Sequence, residues 1–414
     1  MIKTSILYAI AGFARFILVI YITLRTVQLL RIDEYSLFGI ANVFAMLTGL
    51  VWFFNFDSSF QKIYSKPKLR KTVNFVTLVM FVALSCCFFL IQCVFWLVFK
   101  KIDPQWSFTI VTQVQYFPHY CMLVALNSFV LSLLNSKQMS AEYVVQMTLP
   151  SLIVAGYLFV AKDIDLKSIF VLHTVALMFS ISVICCLNIG LFNIRNYTAK
   201  RSTIIFKYII NYTLRSIPTI STKYLLDLVI RSIILQRFGH LQLASYNLCQ
   251  NLLGVMRTLE QSISRAVTPY ILADKNINLP NLSFARRLTF LQSFITINLI
   301  FSSFFWLPIL SSVIKDKPDD LYSPVTLILL GLIIIVGYWK NYCLMYIKKY
   351  SLLIKRFYNQ TTCVNILLII MFLSLEGNLS FLISCQCLIL ILHNVALKTM
   401  MNKKMSFNKI INEK

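Results

Sequence analysis

The sequence has 414 residues, 58% of them hydrophobic and 13% charged, with 39 Lys and Arg against 15 Asp and Glu for a formal net charge of +24. Soluble domains carry roughly 25% charged residues, so an ordinary cytosolic globule is excluded. A membrane span takes about 20 apolar residues, so about twelve spans would use most of the chain; the expectation is an all-α polytopic membrane protein without a soluble catalytic domain.

Apolar runs parted by polar breaks place spans at about 5–30, 36–56, 73–99, 107–134, 143–161, 168–193, 209–236, 242–270, 288–314, 323–347, 358–375 and 379–397. The first is preceded by Lys3 alone, is too long for a signal-peptide core and has no small-residue cleavage motif, so it is expected to remain as a span. The seventh and eighth are the least apolar and are expected to face protein or water instead of lipid. Pro118, Pro150, Pro218, Pro269 and Pro308 are expected to kink or end helices. The 11 cysteines all fall inside apolar runs and read as small hydrophobes, so no disulfide, redox site or metal site is expected. The chain has no nucleophile motif, no phosphate-binding glycine loop and no HExxH, which speaks against an enzyme and against a cofactor.

Lys and Arg resist translocation, so their distribution sets orientation. With the N-terminus in the cytoplasm, about 23 of the 39 fall on the cytoplasmic side, including Lys62, Lys66, Lys68, Arg70 and Lys71 in one loop and Lys403, Lys404, Lys409 and Lys414 in the tail. The opposite loops balance their cations with acids such as Asp33, Glu34, Asp316, Asp319 and Asp320. Most of the positive charge is thus a topology signal with attraction to anionic membrane lipid, and no nucleic acid partner is implied.

Charges inside the spans need another account. Arg15, Arg25, Arg215, Lys223, Arg231, Arg257, Arg265 and Lys340 outnumber the span acids Asp227 and Glu260. Each cation at the centre of a lipid-facing helix costs roughly 2.5–3.5 kcal/mol on the insertion scale. Arg25, Arg215 and Arg265 lie near span ends, where they are expected to snorkel to the headgroup layer. Arg15, Lys223, Arg231, Arg257 and Lys340 lie deeper and are the candidates for a cationic cavity that holds an anion, with structural ion pairing as the rival. Lys223, Asp227 and Arg231 share one helix face at intervals of four, and Arg257 and Glu260 are three apart, so Asp227 and Glu260 are candidates for ion pairing or coupling.

Asn211, Ser216, Thr219, Ser221 and Thr222 in the seventh span, with Asn247, Gln250, Asn251 and Gln261 in the eighth, could bind sugar hydroxyls and water or bond helix to helix. His119, His173 and His393 also fall in spans, as interior hydrogen-bonding groups or as proton relays.

Sliding the chain by 208 places Arg15 on Lys223, Ser36 on Ala244 and Phe38 on Tyr246, a weak internal repeat. It predicts two lobes of about six helices, residues 1–200 and 201–414, related by an axis along the membrane normal. The stretch Leu30-Arg31-Ile32-Asp33-Glu34-Tyr35-Ser36-Leu37-Phe38, then Phe54-Asn55-Phe56-Asp57, begins a resemblance that continues in the second copy. There it is carried by Ser216-Ile217-Pro218, Phe238-Gly239, Ala244-Ser245-Tyr246 and Ala266-Val267-Thr268-Pro269. These segments resemble the Wzx-type polysaccharide-unit flippases of the MATE-like multidrug/oligosaccharidyl-lipid/polysaccharide exporter superfamily. Arg31 and Ser36 stand where that family usually has glycines.

The resemblance implies two six-helix lobes around a central cavity. It further implies export of undecaprenyl-pyrophosphate-linked oligosaccharide units, O-antigen or capsule, across a bacterial inner membrane by alternating access. A polysaccharide polymerase and a chain-length regulator are the implied protein partners, with the lipid-linked oligosaccharide as substrate. A diphosphate headgroup is anionic and suits a surplus of cations in the spans. The alternatives are a multidrug or cation antiporter of the same fold, for which span acids are too few, and an O-antigen polymerase, for which the outer loops are too short.

Overall fold

Backbone groups that leave water must pair within their own segment, so long apolar runs fold as helices. The computed structural model describes residues 2–52, 117–137, 139–188, 199–273 and 328–336, with single residues within 76–90, 290–301 and 380–399. The helices named among them are α1 (Ile2–Leu29), α2 (Ile32–Trp52), α3 (Phe117–Ser136), α4 (Ser140–Val160), α5 (Leu166–Leu187) and α6 (Ala199–Ala273). No strand occurs among the described residues. Of these helices, α4 and α5 are long and apolar enough to cross a membrane by length and composition.

α1, α2, α4 and α5 coincide with expected spans to within a few residues, and α3 covers the latter part of the expected 107–134. The expected spans 73–99, 288–314, 323–347, 358–375 and 379–397 lie largely or wholly outside the described residues. α6 starts at Ala199, ahead of the expected 209. Its first turns bury Ser202, Ile205 and Ile209 and expose Ile204, Phe206 and Tyr208, so amphipathic spacing continues the helix where Lys200 and Arg201 interrupt hydropathy.

Local chemistry fixes the helix ends. Asp165 caps α5 by accepting from the Ser168 backbone N–H at 2.9 Å. Hydrogen bonding from Ser168 holds its carboxyl below the usual carboxylate range. Asp33 and Glu34 occupy the first turn of α2, where the helix dipole favours negative charge. Glu34 accepts from the Arg31 N–H at 3.3 Å and from the Leu166 N–H at 3.5 Å, joining the starts of α2 and α5.

The chain gathers into two compact units, Met1–Ser232 with Gln261–Ala273, and Ile233–Glu260 with Asp274–Lys414. In the first unit α1 packs along α4, α4 on α5 and α3, and α2 on α3, closing a helical bundle around Tyr143, Leu158, Ile169 and Phe170, all fully buried. The same helices expose Leu152, Phe159, Val160, Met178 and Phe179, an apolar outer surface that suits hydrocarbon. In the second unit the run Leu243–Leu248 is buried, and the Ile300 side chain lies where a Cβ on Gly331 would stand, so a larger residue at 331 would require Ile300 to shift.

The internal repeat reappears in the packing. Gly239 breaks α6 with φ +80° and ψ −177°, a conformation open in practice only to glycine. It stands 208 residues after Arg31, at the turn between α1 and α2. Beyond the two breaks, Tyr35 and Leu243, Ser36 and Ala244, Phe38 and Tyr246, and Ala41 and Cys249 are buried pair by pair. The two breaks and the burial that follows them keep one register.

Candidate functional site

Of the candidate cavity residues, Arg231 is the best defined. On α6 its side chain is 7% exposed, and Asp227, one turn earlier and 31% exposed, accepts from Nε at 3.3 Å and from Nη2 at 3.4 Å. Both contacts are longer than the 2.7–2.9 Å of a tight charge-assisted pair. Asp227 could pair with either Lys223 or Arg231 by spacing, and it engages Arg231. Arg15 lies on α1, half-buried, with its Nε out of solvent. Lys223, Arg257 and Glu260 lie on the α6 backbone, and their side chains fall outside the described residues, as does Lys340 altogether.

Arg25, expected near a span end, bonds to the end of α4. Its Nε donates to Leu158 O at 3.0 Å, Nη2 to Ala161 O at 2.9 Å and Nη1 to Gln28 Oε1 at 3.0 Å. The last carbonyls of a helix have no partner within it, and the guanidinium fork supplies donors while its charge suits the negative end of the α4 dipole. Spacing could not reveal this role, because the Leu158 and Ala161 carbonyls are backbone atoms more than a hundred residues away. Replacing Arg25 by alanine is expected to lower stability by about 2 kcal/mol, since two carbonyls lose their donors. Thermal unfolding of the purified protein in detergent measures this, and Arg25→Lys should recover only part because an ammonium cannot fork.

Two polar features of the first unit escaped the sequence reading. Gln146, fully buried on α4, donates from Nε2 to Asn127 Oδ1 on α3 at 2.6 Å and to Ser180 Oγ on α5 at 3.2 Å. This ties three consecutive helices through one amide. The signal was a Gln, an Asn and a Ser in otherwise apolar runs. The second is an aromatic cluster in which Phe38 and Phe44 of α2, Phe117 and Tyr120 of α3, and Phe170 of α5 meet, with His173 against Phe38 and Tyr120. Tyr120 donates its hydroxyl to Asn42 Oδ1 at 2.8 Å. The described residues contain no group of three His, Cys, Asp or Glu arranged to hold a metal ion.

Neither a protein-family model nor a curated protein matches the chain. Solved structures match it over nearly its whole length. The MATE multidrug transporter DinF-BH, solved as a complex, is 14% identical with a TM-score of 0.65, covering 97% of this chain and 94% of its own. MATE in complex with MaD3S is 10% identical with a TM-score of 0.69, over 97% and 96%. The fold is that of the MATE transporters. It is an all-α polytopic membrane fold of about twelve helices. A MOP superfamily transporter from Pyrococcus furiosus shares it at 11% identity and a TM-score of 0.66, over 98% of this chain and 95% of its own. That protein is described as having a binding pocket of reverse polarity that suggests a different function. At these identities the MATE fold is common ground, and cargo must be argued from charge.

Proposed function

We propose that this chain is a transporter in a bacterial inner membrane, with both termini cytoplasmic, that flips undecaprenyl-pyrophosphate-linked oligosaccharide units, O-antigen or capsule, by alternating access. The observation that carries the reading is the sign of the charge within the spans: Arg15, Lys223, Arg231, Arg257 and Lys340 against Asp227 and Glu260. Buried cations in a low dielectric are costly unless an anion offsets them, and a diphosphate headgroup is such an anion. The prenyl tail stays in lipid while the headgroup crosses. The MATE fold supports the transport half of this reading, and the resemblance of Leu30–Phe38 and Ala244–Tyr246 to Wzx-type flippases supports the cargo. Residues 1–200 and 201–414 are the two lobes, and a polymerase and chain-length regulator are the partners that would take the product.

A multidrug exporter is the rival, because multidrug transporters share the fold. Cationic drugs need acids in the cavity, and the spans hold few. Depleting the protein in its own cell decides between them. The expected result is lipid-linked repeat units accumulating on the cytoplasmic leaflet with loss of surface polysaccharide. Intact polysaccharide together with heightened sensitivity to cationic dyes would favour the rival.

A further inference from the structure

His173 sits seven residues into α5, about 10 Å along the helix from its start. Its ring lies 5.9 Å from the Phe38 ring, at 33°, and 6.0 Å from the Tyr120 ring, at 63°. Nε2 is buried with no hydrogen-bond partner among the described residues. The Tyr120 hydroxyl is committed to Asn42. A buried ring nitrogen left so costs free energy in either tautomer, as a donor without an acceptor or an acceptor without a donor.

The surrounding charges make this position singular. Among the described residues of α1–α5, every carboxylate stands at a helix end or in a link: Asp33 and Glu34 at the start of α2, Glu142 at the start of α4, and Asp163 and Asp165 between α4 and α5. The elements packed against α5 are α2, α3 and α4. From α2 the titratable groups are Asp33 and Glu34, at the rim where Glu34 meets Leu166, and buried Tyr35 beside them. From α3 they are exposed His119, Tyr120 in ring contact, and buried Cys121; from α4, Glu142 and buried Tyr143 lie at the opposite end, and Tyr157 is exposed. Tyr120 is thus the titratable neighbour in contact with His173, and no carboxylate is placed to hold a charge on it.

We propose that His173 is a proton-binding site of the transport cycle, loaded only when α5 parts from α2 and α3. While the three helices are closed, water cannot reach Nε2. When they open, Nε2 takes a proton from the admitted water, and the faces of Phe38 and Tyr120 attract the cation. Closure returns the proton to solvent. Linkage is reciprocal: if opening raises proton affinity, protons raise the open population by the same factor. Imidazole titrates between pH 5 and 8, so the effect falls in an accessible range.

The proposal rests on the chain being a transporter but not on the nature of its cargo, and its test uses none. In the full chain in nanodiscs, maleimide labelling of buried Cys121, adjacent to Tyr120, is compared with that of exposed Cys186, whose ratio cancels the pH dependence of thiol chemistry. If the open form binds the proton tenfold more tightly, the Cys121 to Cys186 ratio rises up to about tenfold from pH 8 to pH 5. In His173→Phe, which keeps the aromatic packing, and in His173→Gln, which keeps a polar ring-sized group, the ratio should stay flat. A flat ratio in the unsubstituted chain overturns the proposal, and so does an equal rise in folded forms of both variants. Failure of the polysaccharide experiment above would leave this result standing, so the two readings fail separately.

Discussion

Alanine at Arg15 or at Lys223 is expected to abolish surface polysaccharide while the protein still inserts at normal levels. The two positions occupy equivalent places in the internal repeat, one in each copy. A hydrogen bond to a charged group contributes about 1.5–3 kcal/mol, so losing one cationic contact to a diphosphate weakens headgroup binding by roughly 10- to 150-fold. Losing it also leaves the headgroup to cross with less compensation for its lost hydration. Arg15→Lys and Lys223→Arg keep the charge and should be largely tolerated. The measurement is surface polysaccharide by gel and immunoblot, beside membrane levels of each variant. Normal polysaccharide in both alanine variants would remove the cationic-cavity assignment, whatever the fold.

Asp227→Ala is expected to destabilise the protein by about 3 kcal/mol, because removing one partner leaves a buried guanidinium to be compensated by its remaining interactions alone. Arg231 is 7% exposed, so water does little to replace the carboxylate. The double change Asp227→Ala with Arg231→Met should recover most of the loss, since an apolar pair of similar volume has no desolvation penalty to offset. Denaturant midpoints in a fixed detergent decide this. Equal stability of the single variant and the unsubstituted protein would show that the long 3.3 and 3.4 Å contacts contribute little.

The helical, membrane-spanning character was legible because hydropathy records a solvent constraint that acts on every residue of a span. The register of the repeat was legible too, since Ser36 with Ala244 and Phe38 with Tyr246 are equivalent positions and all are buried. What escaped depends on partners distant in the chain. Arg25 resembles any cation near a span end, and its bonds to Leu158 and Ala161 exist only once α1 lies along α4. Gln146 reads as one polar residue in an apolar run until Asn127 and Ser180 reach it from neighbouring helices. Periodicity offers Lys223 and Arg231 the same spacing to Asp227 and says nothing of rotamers, so the Arg231–Asp227 contact could not be singled out.

The Arg25 fork has a mechanical side. It pins one end of α1 to the carbonyl end of α4, while Glu34 bonds the start of α2 to the start of α5 at the same rim. If the packing of α1 along α4 gives, this clamp becomes the pivot of a lever. Ile2 lies about 35 Å along α1 from the clamp, so a tilt of only about 5° about Arg25 carries that far end through about 3 Å. Small angular changes at the pinned rim therefore become displacements as large as a side chain at the opposite membrane face.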